Sequence, residues 1–171
     1  MPLRAVVIGA GWAGEGHTLG LRDAGVEVVA LCGRTPEPAR AKAAQLGVPE
    51  VRFDWRAALE EFQPDIVSIA TPRDAHRAIA EHAADLGCHI ACDKPLATDV
   101  AGARAMLEAA ARAGVKTAYA ATGCYSPAVL HAQQLVSEGA IGRVTAIESM
   151  LYFFIPPELP FCWVHERVRG G

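Results

Sequence analysis

A chain of 171 residues, 51% of them hydrophobic and 20% charged, can bury one sizeable core and has the composition of an ordinary globular protein, not a disordered one. Its formal net charge of -3, without any lysine or arginine block, gives no electrostatic case for a nucleic-acid partner, and no run approaches the ~20 apolar residues of a membrane span, so a cytoplasmic protein without a membrane partner is expected. Five cysteines, odd in number and without a C-x-x-C pair, suggest neither a disulfide framework nor a metal site; most read as small buried apolar residues.

The first element is a short apolar run, Leu3 to Ile8, which leads directly into Gly9-Ala10-Gly11-Trp12-Ala13-Gly14. In the order strand, loop, helix this G-x-G-x-x-G pattern has a mechanism. Gly9 allows a tight turn, Gly11 lets backbone approach a pyrophosphate, and Gly14 lets the helix pack close to the strand. The opening residues of that helix, Trp12 and Ala13, present unpaired N–H groups at its positive end. Gly25 closes the helix and a second apolar run, Val26 to Cys32, completes a βαβ unit of the expected ~30 residues.

Thr35-Pro36 offers an N-cap and a favoured first helical residue, with Ala39, Ala43 and Leu46 on one face and Gly47 as the stop. A helix follows over Trp55 to Phe62, then a buried strand, Ile66 to Ala70, that ends in Thr71-Pro72. Asp74 is placed to cap the next helix, whose apolar line is Ala75, Ile79, Ala83 and Leu86, closed by Gly87. His89 to Cys92 is another strand, ending in Asp93-Lys94-Pro95. Thr98 is the cap expected for a helix with Val100, Ala103, Leu107 and Ala110 inward, stopped by Gly114 before a strand over Val115 to Ala121.

Strands alternating with helices of this size predict an α/β fold, a doubly wound parallel sheet over residues 1–122. From residue 123 the pattern changes. Ser126-Pro127 starts a helix to about Glu138, stopped by Gly139, and Val144 to Phe154 reads as a long strand rich in aromatics. Residues 123–171 are therefore expected to begin a second, α+β element that serves substrate binding or oligomerisation and is cut short. A free strand edge of that length is costly, so pairing with another copy of the chain is expected.

In doubly wound sheets ligands bind beyond the carboxyl ends of the strands. That rule places the glycine loop, Gly33-Arg34-Thr35, Thr71-Pro72, Asp93-Lys94-Pro95 and Thr122 to Tyr125 along one rim. Lys94 is the candidate catalytic residue, because it stands at a strand's carboxyl end on the same rim as the glycine loop, where a fixed cation can stabilise negative charge that develops on a substrate oxygen. His17 and His76 read as cofactor-side or packing contacts near helix starts.

The second strand sets the cofactor preference. An NAD site needs a carboxylate about twenty residues after the glycine loop to accept from the ribose hydroxyls. Here the segment reads Cys32-Gly33-Arg34-Thr35. Gly33 leaves room for a phosphate, Arg34 can hold a 2′-phosphate through paired charge-assisted bonds, and the Thr35 hydroxyl can add another. NADP is therefore expected in preference to NAD, with Glu37 as the alternative ribose ligand.

Taken together, Gly9 to Gly14 followed by His17, Ala70-Thr71-Pro72 with His76, Asp93-Lys94-Pro95, and Ser126-Pro127 followed by Gly139-Ala140-Ile141-Gly142 resemble the glucose-fructose oxidoreductase / inositol dehydrogenase / MocA (Gfo/Idh/MocA) family of nicotinamide-dependent dehydrogenases. The resemblance covers almost the whole chain. It implies a Rossmann domain followed by a substrate domain, and oxidation or reduction of a carbinol carbon on a small sugar, cyclitol or related polyol. It further implies that Lys94 polarises the substrate oxygen and that Asp93, where the family more often has Glu, lies near the nicotinamide ribose. An Asp and a His that the family carries on a helix of its second domain have no counterpart before Arg169-Gly170-Gly171, so the chain reads as the N-terminal cofactor-binding part. The rival is a non-catalytic NAD(P)-binding sensor or assembly protein of the same fold.

Overall fold

The computed structural model describes residues 1–150 and Tyr152. These divide into two compact units, Met1–Ala120 and the described residues from Ala121 on. The first is a six-stranded parallel sheet. Its strands in chain order are β1 (Arg4–Ile8), β2 (Glu27–Cys32), β3 (Glu50–Arg52), β4 (Ile66–Ile69), β5 (His89–Cys92) and β6 (Thr117–Tyr119), arranged β3-β2-β1-β4-β5-β6. The order reverses between β1 and β4, and at that switch the loops after the two strands diverge and leave a crevice. Val7 lies opposite Leu31 on one side and Ser68 on the other, which continues the row through Ala91 to Ala118.

Both faces of the central strands are covered, which is why β1, β2 and β4 are nearly unbroken apolar runs. One face packs against α3 (Trp55–Phe62), α4 (His76–Asp85) and α5 (Val100–Ala113), burying Val6, Ile69, Leu59, Ile79, Ala83 and Met106 together. The other face carries Val7, Val28 and Leu31 against Ala43 and Leu46 of α2 (Pro36–Leu46), with Leu21 of α1 (Trp12–Asp23) at its margin. Each fully buried Leu, Ile or Val contributes roughly 1.5–3 kcal/mol by leaving water.

Several expectations need correction. β3 was not anticipated: three residues with a charge at either end make a weak pattern, and it exists as an edge strand paired to Ala30–Cys32. Arg52 then fastens it to α3 through Glu61 and along the strand through Glu50. The cap of α5 is Asp99, which accepts from the Gly102 amide at 2.7 Å, not Thr98. Asp74 does not cap α4; Ala75 holds the cap position, and the chain enters the helix through turn bonds from Ala75 to Pro72 and from His76 to Arg73. The buried line of α5 runs through Gly102, Met106, Ala109 and Ala110, leaving Val100 and Leu107 exposed. The exposed charges Arg104, Glu108 and Arg112, four residues apart, mark the opposite face and turn this line inward, and Gly102 approaches Ala97, where a Cβ would lie 3.1 Å from the alanine methyl. Leu86 likewise stands past the end of α4 and is exposed.

In the second unit a 3-10 turn, Thr122–Tyr125, precedes α6 (Pro127–Ser137), capped by Ser126 as expected, with Gly139 in the left-handed region just beyond. The strand expected over Val144 to Phe154 is not formed in residues 144–150, and the rest of that stretch, Tyr152 apart, lies outside the described residues. A strand needs a ladder partner, and none is offered to 144–150 by the described residues; Ile147, Met150 and Tyr152 are exposed. Cys162 and the proline-rich tail also lie outside the described residues.

Candidate functional site

At the carboxyl end of the sheet the loops after β1, β2, β3, β4 and β5 enclose a cleft of about 900 Å³. Its floor is the glycine loop. Gly9 has φ of 122°, and a Cβ there would lie 2.2 Å from the Ala70 carbonyl oxygen; a Cβ on Gly14 would lie 1.8 Å from the Gly9 oxygen. Only glycine fits at either position. Gly11, by contrast, has nothing within 4 Å of the position a Cβ would take, so its backbone is open to the cleft. The loop is pinned by Gly9 N–H to Cys32 O at 2.8 Å and by Ala70 N–H to Ile8 O at 2.8 Å. α1 starts at Trp12 with Gly11 at the cap position and no side chain capping it, so its first amides face the cleft unspent.

This is a built cradle for a diphosphate: a Cβ-free turn, open space over Gly11 and an uncapped helix N-terminus beside Trp12 and Ala13. Gly14 itself does not line the cleft; it is buried beneath the loop and serves the close approach of α1.

On the β2 side the cleft is lined by Gly33, Arg34, Thr35 and Pro38, and on the β3 side by Phe53 and Trp55. The room left by Gly33 is not for a ligand. A Cβ there would fall 2.5 Å from the Ala39 methyl and 3.1 Å from that of Ala10, so the glycine lets α2 sit against the end of β2. Arg34 and Thr35 are exposed, and the Arg34 guanidinium makes no hydrogen bond or ion pair among the described residues. Glu37 is not part of the lining. Trp55 is expected only as the start of a helix, and neither it nor Phe53 is marked as a cleft residue because both follow β3; the available signal is Asp54, which caps α3 by accepting from the Arg56 and Ala57 amides.

The opposite wall is made by Thr71 and Pro72 after β4 and by Asp93, Lys94 and Pro95 after β5. Asp93 Oδ1 accepts from the Lys94 amide at 2.8 Å, the Lys94–Pro95 bond is cis, and the lysine side chain is exposed at the rim. The Thr71 hydroxyl is buried without a hydrogen-bond partner among the described residues.

His76, expected as a cofactor contact, does not line the cleft. It is fully buried behind this wall, with both ring nitrogens engaged by loop backbone. His17, half-buried on α1, shares a 2.8 Å hydrogen bond with the Ser68 hydroxyl. Burial holds its imidazole below the ordinary value, an effect that Asp93 opposes and His76 reinforces. The thiols of Cys32 and Cys92 are pushed up to about 12, chiefly by burial, which leaves them inert apolar residues of the core. Thr122–Tyr125 belongs to the second unit.

Sheet order, crevice and cradle together define a dinucleotide-binding Rossmann domain. The model of the oxidoreductase family with an NAD-binding Rossmann fold (GFO_IDH_MocA) matches residues 3–121, and the chain belongs to that family. Among curated proteins it is 36% identical to D-apiose dehydrogenase of Paraburkholderia graminis over 81% of this chain and 37% of that protein. It is 30% identical to an NADP(+)-dependent D-xylose 1-dehydrogenase of Haloferax volcanii over 85% of this chain and 44% of that protein. A levoglucosan dehydrogenase solved with NADH and levoglucosan superposes with a TM-score of 0.86 at 27% identity, covering 99% of this chain and 49% of the other. The chain thus spans less than half the length of each of these relatives.

Proposed function

We propose that this chain is the dinucleotide-binding part of a nicotinamide-dependent oxidoreductase acting on a carbinol or carbonyl carbon of a small sugar, cyclitol or related polyol, with NADP(H) preferred. The observation that carries the reading is the convergence on one cleft of the glycine cradle, the unpaired Arg34 and the exposed Lys94.

When bound, the nicotinamide supplies or accepts the hydride. The chain's own residues do the rest. The amides at the start of α1 and the open backbone at Gly11 hold the diphosphate. Arg34, with the Thr35 hydroxyl beside it, offers a charged fork to a 2′-phosphate, and Glu37 stands outside the cleft, which weakens the case for a ribose carboxylate. Lys94 holds positive charge beside the carbinol oxygen as the charge there grows or fades. Asp93, bonded to the Lys94 amide, fixes the base of that loop.

Support for the substrate class comes from the relatives, whose names specify apiose, xylose and levoglucosan. Calorimetric titration with NADPH and NADH tests the cofactor reading. NADPH is expected to bind at least tenfold more tightly; tighter binding of NADH overturns the preference, and binding of neither overturns the function.

A further inference from the structure

His76 sits where two walls of the cleft meet from behind. It is the first residue of α4 and is 0% exposed. Its Nε2 lies 2.7 Å from the Thr71 carbonyl oxygen, in the loop after β4. Its Nδ1 lies 3.1 Å from the Pro95 oxygen and 3.2 Å from the Leu96 oxygen, in the loop after β5, with the Cys92 sulfur 3.4 Å away. Thr71 and Pro95 both line the cleft; the imidazole does not.

We infer that His76 is a positioning residue that ties the Lys94–Pro95 loop to the Thr71–Pro72 loop and thereby sets where Lys94 stands in the cleft. The inference rests on the function proposed above for Lys94. A ring that only filled space could be replaced by leucine, but leucine would offer no donor to the Thr71, Pro95 or Leu96 carbonyls. Both ring nitrogens face carbonyl oxygens. An imidazolium satisfies both sides and a neutral ring one, so in either state the ring bonds at least one loop while packing against the other.

The loop is held at its base by the bond from the Lys94 amide to Asp93 and beyond its tip by Leu96 and Ala97 packed on the core, which leaves the tip itself to His76. Lys94 and Pro95 are exposed, and the Lys94 side chain makes no bond among the described residues. Asp93, by contrast, is held by its amide bond to Ile69 O at 2.9 Å. The tether from His76 begins where that ladder stops.

Shape makes the two halves of the tether separable. An asparagine at 76 places an amide donor near the position of Nδ1, and a glutamine places one near that of Nε2. The full chain is compared as wild type, His76→Ala, His76→Asn and His76→Gln, by peptide-level hydrogen exchange and by titration with NADPH. In the catalytically competent protein kcat and KM are added. In His76→Ala, exchange over residues 93–98 is expected to rise at least tenfold while the β1 and β2 segments keep their protection. His76→Asn should restore most of the protection over 93–98, and His76→Gln should restore it only over 70–74. Turnover should fall at least tenfold in Ala and Gln, with NADPH affinity changed less than threefold.

Unchanged exchange over 93–98 in the Ala variant, equal loosening of the whole sheet, or equal rescue by Asn and Gln would each overturn the inference. If the Ala variant does not fold, the contrast between Asn and Gln decides alone. Failure of the wild type to bind any dinucleotide would instead remove the proposed function and leave the exchange result standing as a structural tether.

Discussion

The glycine loop that floors the cleft and the loop after β5 that walls it are specified in opposite ways. In the glycine loop, what matters is the absence of side chains: at Gly9 and Gly14 a Cβ would lie 2.2 Å and 1.8 Å from backbone oxygen, and Gly11 opens main chain to the cleft. In the loop after β5, what matters is which side chains are present: an exposed lysine, an aspartate bonded back to the main chain, and a buried histidine that holds the loop from behind. A backbone site is as rigid as the fold that forms it, so its failures should appear as loss of stability. A side-chain site hangs on a few contacts, so its failures should appear as lost turnover or affinity in a protein that still folds.

The hardest blow to that contrast falls on the glycines. Gly9→Ala demands both a φ of 122° from a residue with a Cβ and a displacement of the Ala70 carbonyl. A loss of at least about 4 kcal/mol is expected, near the upper end for a single substitution, read by denaturant unfolding. Gly11→Ala meets nothing within 4 Å and should keep stability to within about 0.5 kcal/mol while weakening dinucleotide binding. If Gly11→Ala unfolds the chain, or Gly9→Ala is silent, the backbone reading of this loop is wrong.

The other wall sharpens the contrast from the opposite side. Lys94→Ala removes an exposed side chain that makes no bond among the described residues, so the unfolding midpoint should stay put. In the catalytically competent protein turnover should fall about 10²- to 10³-fold, the scale of losing one stabilising donor, with dinucleotide affinity nearly unchanged. Unchanged turnover would remove Lys94 from the chemistry. Arg34→Ala belongs to the same class with a smaller expected effect. Losing charge-assisted bonds to a phosphate should weaken NADPH binding roughly tenfold to a hundredfold and leave NADH binding alone. An equal loss for both cofactors would mean that Arg34 meets the diphosphate or nothing.

What was legible in the sequence follows the same division. The glycine loop, the strands before it and after it, and the helix stops at Gly47 and Gly114 could be read because they rest on local requirements: a positive φ, a missing Cβ, a run of buried apolar residues. The motif Asp93-Lys94-Pro95 was legible as a strand end facing the cleft. What the sequence hid was tertiary. Gly33 reads as room for a phosphate and is room for Ala39; His76 reads as a cofactor-side or packing contact and is buried with both ring nitrogens on loop carbonyls; Phe53 and Trp55 reach the cleft only because a three-residue edge strand carries them there. The direction of α5 is carried by its exposed charged stripe, Arg104, Glu108 and Arg112, opposite the buried line; choosing its bulkiest apolar residues, Val100 and Leu107, as the inward ones misses it.

The smallest expected effect sits beneath both loops, at His17. Its ring is half-buried on α1, hydrogen-bonded to Ser68 of β4, and held below the ordinary imidazole value of 6.5, first by burial and then, against the pull of Asp93, by His76. The sign follows from linkage. Above the unfolded value both states are neutral at this ring and it adds no pH dependence. As pH falls through 6.5 the unfolded chain takes up the proton first, so the unfolded state is favoured and stability declines until the folded ring also protonates. Because the ring is partly exposed, the slope from this group should stay below one proton. His17→Asn keeps a donor near the Nδ1 position for Ser68 but cannot titrate, and should flatten the decline below 6.5 without altering stability above it. Asp93→Asn should do the reverse, since it removes the charge that favours the imidazolium and so widens the interval between the two values. Unfolding midpoints measured from pH 5 to 8 for the three proteins check both signs; parallel curves for wild type and His17→Asn would show that the ring titrates alike in both states.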